Sequence, residues 1–308
     1  MDMPLVSVII PCFNGEVFLR DAIDSVLHQS YANIEIVVVN DGSTDNTAGI
    51  MAGYGKKIKP VHQKNQGHSS ARNSGIANST GRYIAFLDCD DYWDHRFVEL
   101  MLAEIVEKKA AIAYCGWQRV GNKPGEPFIP PDYENDQKLH SLFRFSALWP
   151  IHAALVQRDY LPEPAFNTAY QACVDYDLWL RVAGTNPICL VPEVLAFYRF
   201  HSHGQVTSNQ ARSGYFNLLV KERFLSDFPD IATALGPDRI REYCAGAYLK
   251  RTYRCLWEGD IQAAHEMFRY AVKRRMITSK DWKYALPALM PLKAYRQLAD
   301  WRGLKGEG

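Results

Sequence analysis

The sequence lacks several features that would place it quickly in a function class. No apolar stretch approaches the roughly 20 residues that span a bilayer, and the N-terminus shows no basic region or small-residue cleavage site of a signal peptide. Lys and Arg number 35 against 34 Asp and Glu, so the formal net charge is only +1. Such a chain has no broad electrostatic attraction to nucleic acid. We expect a cytoplasmic protein without a nucleic-acid partner, at most peripheral on the inner face of a membrane.

Two further patterns are missing. The seven cysteines are an odd number and include no C-x-x-C pair, which disfavours a zinc knuckle or a disulfide framework and favours reduced thiols. Neither G-x-x-x-x-G-K nor G-x-G-x-x-G occurs. Their absence argues against P-loop enzymes and dinucleotide-dependent dehydrogenases.

The chain has 308 residues, enough for one large domain with an appendage. Its first half alternates short apolar runs with amphipathic stretches, which predicts helices around a largely parallel sheet. The predicted strands are 6–10, 35–39, 58–62, 83–87, 111–116 and 191–200. The predicted helices are 17–29, 69–78, 95–108, 139–148 and 175–183, with Ser43 or Thr44 capping one after the second strand. Residues 118–133 predict a long loop, and the pattern beyond about 205 is helical.

Polar side chains follow three of the predicted strands, at 12–14, 40–45 and 88–91. In α/β sheets, ligands bind outside the carboxyl ends of the strands. The third segment, Asp88-Cys89-Asp90-Asp91, places three acids within four residues, and these would repel one another unless a cation or solvent separated them. A divalent ion that prefers hard oxygen ligands fits this segment. The alternative is an acidic turn that caps the next helix.

Four sequence blocks then occur in order: SVIIPCFN at 7–14, VNDGSTD at 39–45, NQG at 65–67 with ARNSG at 71–75, and DCDD at 88–91. Together they resemble the family 2 glycosyltransferases of the GT-A fold, in particular the inverting, non-processive bacterial type. The resemblance implies an α/β fold with a Rossmann-like, mostly parallel sheet, flanking helices and a helical C-terminal region. We expect a catalytic domain at 1–205, with a nucleotide-binding half at about 1–117 and an acceptor half at about 118–205. A helical region at 206–308 would follow.

The family resemblance also implies an activity. The chain would move a sugar from a nucleotide-diphosphate sugar, in the first place a UDP-sugar, to an acceptor hydroxyl with inversion. Bacterial surface polysaccharide or glycoconjugate synthesis is the expected setting. The processive signature Q-x-x-R-W is absent, which favours transfer of one sugar or a few. A degenerate protein that binds nucleotide-sugar or glycan without turnover is an alternative, and a sugar-nucleotide pyrophosphorylase is another, although its Gly-rich loop after the first strand is missing.

Roles for the donor-binding residues follow from the same resemblance. They are Pro11, Phe13, Asn14, Asp41, Arg72, Asp88 and Arg199. Asp41 would accept a hydrogen bond from the base, which Phe13 or its neighbours would cover, and Asp88 would contact the ribose. Arg72 would lie by the nucleotide with its planar fork of donors, unless it is an ordinary surface residue.

The metal is expected to be Mn²⁺ or Mg²⁺, bound by Asp90 and bridging the two phosphates of the donor. The segment FYRFHSH at 197–203 resembles one in which an arginine and a histidine of the family face these phosphates. His201 would complete the metal shell while Arg199 steadies the diphosphate. His203 is the alternative ligand, and both histidines could instead be ordinary loop residues.

The catalytic base is expected in CVDYDLWLR at 173–181, which resembles the Glu-Asp segment of the family. A base is needed because a sugar hydroxyl is a poor nucleophile. Asp175 falls at the catalytic aspartate, whereas Val174 stands where the preceding residue is often glutamate. This departure leaves Asp177 open as the active carboxylate, and Asp175 could also simply cap its helix.

The tail carries more basic than acidic residues from Met267 onward, interleaved with aromatic and aliphatic side chains. This composition suits an interfacial helix near anionic lipid, and it equally suits helices packed on the catalytic domain with a solvated basic face. The expected partners are a nucleotide-sugar donor and a glycan, lipid-linked or other hydroxyl acceptor, with peripheral membrane contact through these helices left open.

Overall fold

The structure is a computed structural model that describes residues 3–144, 148–201 and 209–301, without the side chains of Asp300 and Trp301. The chain divides into two compact units. The first comprises Met1–Ala169 and Val174–His203, and the second comprises Tyr170–Cys173 and Gly204–Gly308. The first unit contains a sheet with flanking helices, whereas the second is helical.

The described strands of the first unit are β1 Val6–Cys12, β2 Ile34–Asp41, β3 Lys59–Gln63, β4 Tyr83–Phe86, β5 Tyr92–Trp93, β6 Ile112–Gly121, β7 Ala154–Gln157 and β8 Ile188–Phe200. They form one sheet in the order β3-β2-β1-β4-β7-β6-β8-β5. The pairings among β1 to β4 and between β6 and β8 are parallel. The strand β7 runs antiparallel to β4 and β6, and β5 runs antiparallel to β8. The predicted largely parallel sheet is therefore confirmed, with antiparallel insertions that the sequence did not reveal.

The helices of this unit are α1 Leu19–Leu27, α2 Thr47–Tyr54, α3 His68–Ala77, α4 Phe97–Lys108, α5 Lys138–Arg144 and α6 Val174–Ala183. Apolar side chains at helical spacing bury one face of α1, at Leu19, Ala22, Ile23 and Val26. Helix α3 packs closely on β1, because a Cβ at Gly75 would overlap the side chain of Ile9. Close packing of this kind brings the start of α3 to the carboxyl ends of β1 and β2.

A proline lies inside β1, although proline lacks the N–H that a strand ladder uses. The Leu87 N–H donates to the Ile9 carbonyl at 3.0 Å, and β4 ends at Phe86. The backbone N–H groups of alternate residues of β1 point toward β2 and toward β4. Pro11 is on the side of β4, but it lies beyond the residue at which β4 ends. The missing N–H therefore breaks no bond in the ladder, and β1 continues to Cys12.

Two local predictions were wrong. Residues 118–121 belong to β6 instead of a loop, because they pair with β8 through a register shift near Gly116. The helix after β2 is capped by neither Ser43 nor Thr44. Helix α2 begins at Thr47, whose N–H is bound at 3.0 Å by the Asp45 carboxylate.

The second unit confirms the predicted helical C-terminal region. Its helices are α7 Gln210–Asp227, α8 Pro229–Arg241, a π-helical turn Glu242–Gly246, α9 Ala247–Trp257, α10 Ile261–Lys273, α11 Trp282–Ala285 and α12 Leu292–Trp301. Phe224, Leu256 and Phe268 are almost completely buried in its core. Across the described residues, no helix combines the length and apolarity that a membrane span requires.

Candidate active site

The loop after β4 carries the three acids that the sequence places together, and each carboxylate has a different partner. The pairs are Asp88 with Arg72 at 2.5 Å, Asp90 with His201 at 2.9 Å, and Asp91 with His152 at 3.0 Å. Three basic side chains from separate elements thus offset the mutual repulsion of the acids. This loop is the centre of the candidate site.

Arg72 extends from α3 and is 5% exposed. Its Nη2 donates to Asp88 Oδ1, and its guanidinium lies 5.3 Å from the centre of the Phe166 ring. Burial raises the pKa of Asp88, but the charge and hydrogen bond of Arg72 outweigh it and hold that pKa below its ordinary value. Arg72 Nε is buried without a hydrogen-bond partner among the described residues. Arg72 is therefore a buried residue paired with the acidic loop, and the alternative of an ordinary surface residue is excluded.

The next residue, Asn73, holds the loop that packs on Arg72. Its Nδ2 donates to the Phe166 carbonyl at 2.7 Å, and its Oδ1 accepts the Phe166 N–H at 3.0 Å. Phe166 also contacts Phe86 edge-on, with ring centres 5.0 Å apart. Two adjacent residues of α3 thus link the acidic loop to a segment almost a hundred residues further along the chain.

The two predicted metal ligands lie side by side. Asp90 Oδ2 is 2.9 Å from His201 Nε2, and the two side chains are 31% and 15% exposed. The His201 ring packs against Phe18, with ring centres 5.0 Å apart. Among the described residues, no group of three or more His, Cys, Asp or Glu side chains could hold a metal ion. The alternative ligand, His203, lies outside the described residues.

The third acid, Asp91, is fully buried and positions β8. Its Oδ1 accepts the backbone N–H of Arg199 at 2.8 Å, and its Oδ2 lies beside His152 Nδ1. Burial raises the pKa of Asp91 to about 6. The pKa of His152 is also raised, because Asp91 outweighs the lowering effect of burial. The pair ties the end of β8 to the acidic loop, and so places His201 two residues later beside Asp90.

Arg199 itself points toward α1. Its Nη2 pairs with Asp21 Oδ2 at 2.9 Å, and its guanidinium lies 4.8 Å from the Phe18 ring centre and 5.4 Å from that of Tyr92. The backbone of Arg199 is thus part of the site, while its side chain is held by aromatic rings and an acid.

Asp41, at the end of β2, is 3% exposed. Its carboxylate accepts hydrogen bonds from Gln63 Nε2 at 2.7 Å, the Gln66 N–H at 2.9 Å and the Gly67 N–H at 2.8 Å. A carboxylate has about four acceptor positions, and these three bonds use most of them. Asp41 therefore also shapes the turn that leads into α3.

The segment after β1 is joined to the segment after β2. The Asn14 N–H donates to Ser43 Oγ at 2.9 Å, and Asn14 Oδ1 accepts the Thr44 N–H at 2.8 Å. Asn14 adopts a left-handed φ of 52°. Pro11 is buried, whereas Phe13 is 48% exposed. Of these predicted base-covering residues, Phe13 presents the large apolar surface.

Asp175 lies in the first turn of α6 and is partly exposed. Burial raises its pKa, and the nearby charges of Arg72 and Asp88 lower and raise it respectively. Asp177 differs, because it is 4% exposed and pairs with Arg181 Nη2 at 2.6 Å. Val174 is 6% exposed, so an apolar side chain fills the place where the family often has glutamate.

Sequence reasoning missed three contributors to this arrangement: the Asp91–His152 pair, the Asn73 clamp and His68. His68 begins α3, and burial, followed by the charge of Arg72, lowers its pKa. Asn73 had a signal, because it belongs to the ARNSG block. His152 and His68 had none, because the acids near them are distant in the sequence.

Comparison with known proteins identifies a family and a shared fold. The family model described as Glycosyl transferase family 2 matches residues 7–159. An uncharacterized glycosyltransferase of Rickettsia prowazekii (strain Madrid E) is 35% identical over 243 residues, which cover 72% of this chain and 74% of that protein.

Two solved structures share the architecture. Staphylococcus aureus TarS 1-349 in complex with UDP-GlcNAc superposes with a TM-score of 0.71 at 18% identity, covering 98% of this chain and 93% of that one. The mannosyltransferase PcManGT from Pyrobaculum calidifontis, in complex with GDP-Man and Mn²⁺, gives 0.58 at 16% identity, covering 98% and 87%. These likenesses confirm the GT-A fold and the helical C-terminal region.

Proposed function

Because the chain belongs to glycosyltransferase family 2, we propose that it transfers a sugar from a nucleotide-diphosphate sugar to an acceptor hydroxyl with inversion. One observation carries the proposal. The acidic loop brings Asp88 to Arg72 and Asp90 to His201, and the charges of Arg72 and Asp88 influence Asp175. The residues proposed for the donor, the metal and the base thus all belong to the first unit.

For the donor we propose a UDP-sugar. TarS, which superposes better than PcManGT, was crystallised with UDP-GlcNAc and with UDP, and this supports uridine over the guanosine of the GDP-Man in the PcManGT complex. In this chain, Phe13 would cover the base, the remaining acceptor position of Asp41 would bind it, and Asp88 would bind the ribose. Arg72, which is paired with Asp88, would orient that carboxylate toward the ribose.

For the metal we propose Mn²⁺ or Mg²⁺ bound by Asp90 Oδ2 and His201 Nε2. The Asp90 carboxylate and the His201 imidazole would contact the ion, because their Oδ2 and Nε2 atoms are already neighbours at 2.9 Å. Two protein ligands leave positions for phosphate oxygens and water, as is usual for ions that bind with a substrate. When bound, the ion would neutralise charge that builds on the departing diphosphate.

For the base we propose Asp175. A general base works best when its pKa is near the operating pH. Burial raises the pKa of the Asp175 carboxyl toward that pH. Its carboxylate would take the proton of the acceptor hydroxyl while that oxygen attacks the anomeric carbon from the face opposite the leaving diphosphate. A single displacement of this kind inverts the anomeric configuration. The ion pair with Arg181 disfavours Asp177 for this role.

The acceptor belongs to the same proposal. The family resemblance supports a glycan or lipid-linked hydroxyl of a bacterial surface polysaccharide or glycoconjugate, and a lipid-linked acceptor would require the enzyme to work at a membrane.

The test is a thermal-shift and hydrolysis screen of the purified protein against UDP-, GDP-, TDP- and CMP-sugars, each with and without Mn²⁺. The wild type is compared with Asp90→Ala and with Asp159→Ala, an exposed carboxylate outside the site. Metal-dependent stabilisation by one nucleotide, lost only in Asp90→Ala, supports the proposal. Nucleotide binding without turnover on any acceptor would favour the degenerate binding protein. No response to any donor would refute a donor site here.

A further inference from the structure

The segment between α10 and α12 places its large apolar residues outward and its small ones inward. Ala285 and Ala288 are fully buried, whereas Trp282, Leu286, Leu289 and Met290 are exposed by 45%, 58%, 46% and 37%. We call these four side chains the tail patch. An ordinary surface segment that packs on a core would bury its large apolar residues and expose polar residues to water. Clustered large apolar residues on a surface mark a contact site.

The tail patch rests on a well-bonded backbone. Arg269 Nη1 of α10 donates to the Leu289 carbonyl at 3.1 Å, and His265 Nε2 lies 2.9 Å from the Met290 carbonyl. At the other end, Tyr253 donates to the Asp281 carboxylate at 2.7 Å. Side chains of α9 and α10 thus fix both ends of the segment, and the exposure of the patch belongs to the folded unit.

The surroundings of the tail patch are strongly basic. Residues 267–299 contain eight lysines and arginines and one acid. All eight basic residues are exposed: Arg269, Lys273, Arg274, Arg275, Lys280, Lys283, Lys293 and Arg296. The acid, Asp281, is 8% exposed and is bound by Tyr253 and Thr278. Arg274 pairs with Glu222 of α7. Because the whole chain has a net charge of only +1, this positive charge is concentrated in the tail.

We propose that the tail patch docks the protein on an anionic lipid bilayer. The four apolar side chains would enter the boundary between headgroups and acyl chains, and the surrounding lysines and arginines would contact lipid phosphates. A second copy of the chain fits less well, because a two-fold contact places the same basic surface against itself. The inference goes beyond the transfer reaction and uses none of its residues.

Co-sedimentation of the full chain with vesicles tests the proposal. The vesicles contain either equal parts of phosphatidylglycerol and phosphatidylcholine or phosphatidylcholine alone. We expect binding to the anionic vesicles that weakens as salt is raised. Leu286→Gln should weaken this binding by about tenfold through lost apolar insertion, and the double change Lys280→Glu with Lys283→Glu should weaken it at least as much.

Val106→Gln is the matched control, because Val106 is also 58% exposed but lies on α4 of the first unit. It should bind like wild type. Thermal melting and donor hydrolysis in solution should be unchanged in all these variants, so failure of membrane docking is distinguishable from failure of the proposed transfer. Equal binding to neutral and anionic vesicles, or binding to neither, would overturn the proposal. A dimer seen by light scattering and lost in Leu286→Gln, without vesicle binding, would identify a second copy as the occupant and also overturn it.

Discussion

Replacing Asp175 with asparagine tests whether this carboxylate takes the proton from the acceptor hydroxyl. The change retains an oxygen that can accept the Tyr176 N–H, now bound at 2.8 Å, and removes only the basicity. A positioned base contributes about 10²- to 10⁴-fold to the rate. Transfer should fall by that factor, which is about 3–5 kcal/mol of activation free energy. Donor affinity should be nearly unchanged, because Arg72 and Asp88 keep their own contact.

The same substitution has a stability consequence with a definite sign. Burial raises the pKa of Asp175 in the folded protein. A carboxyl with a raised folded pKa stabilises the fold below its unfolded pKa, and this contribution is lost as the pH rises through the folded pKa. At neutral pH, the free energy of unfolding of Asp175→Asn should therefore equal or exceed that of the wild type. The difference between the two should become smaller in acid. In the wild type, the acid limb of kcat/KM should lie above the ordinary aspartate value of about 4.

The assay measures transfer, donor affinity and urea unfolding for Asp175→Asn beside Asp177→Asn. Asp177 is buried against Arg181, so removing its charge should cost about 3 kcal/mol of unfolding free energy. The folded fraction of Asp177→Asn should retain transfer. Full activity in Asp175→Asn, or inactivity of stable, folded Asp177→Asn, would refute the reasoning and make Asp177 the base.

Three further predictions concern the packing and the metal. His201→Ala should raise the Mn²⁺ concentration for half-maximal turnover by at least about tenfold, and an unchanged metal requirement would remove His201 from the metal site. Asn73→Ala should lower the free energy of unfolding by about 2 kcal/mol, measured in urea, because it leaves the Phe166 N–H and carbonyl unpaired; wild-type stability would contradict the clamp. Gly15→Ala should cost about 1–3 kcal/mol, because its Cβ would overlap Cys12 Sγ and lie 3.1 Å from Cys89 Sγ. Adding Cys12→Ala should then cost less than the sum of the single changes, and strict additivity would exclude the overlap.

Strands β1 and β2 could be predicted because their apolar residues are mostly buried. Residues 6–10 and 35–39 fall inside β1 and β2. The short strands β5 and β7 were missed, since two and four residues carry too little periodicity to be distinguished from a loop. The extension of β6 to Gly121 depends on pairing with β8 some 80 residues later in the chain. The local composition of residues 118–121 does not predict this pairing.

The candidate site shows the same division. The sequence predicts that three acids within four residues repel one another unless a cation or solvent separates them, and the structure places Arg72, His152 and His201 beside these acids. Which basic side chain pairs with which acid depends on the order of the strands in the sheet. In particular, it depends on β8 ending beside the acidic loop. The resemblance to the family supplied His201, whereas the buried Asp91–His152 pair follows only from the folded structure.

The contact between Asp90 and His201 joins residues 111 positions apart in the chain. A ribosome that adds about 5–20 residues per second needs roughly 6–20 s to proceed from the first of these residues to the second. During that interval the nascent chain already contains β1 to β4 and Asp41 but lacks His201, and the proposed base Asp175 is added only in its last quarter. The order of synthesis therefore completes the proposed metal site last, after the strands that carry the proposed donor residues and after the proposed base.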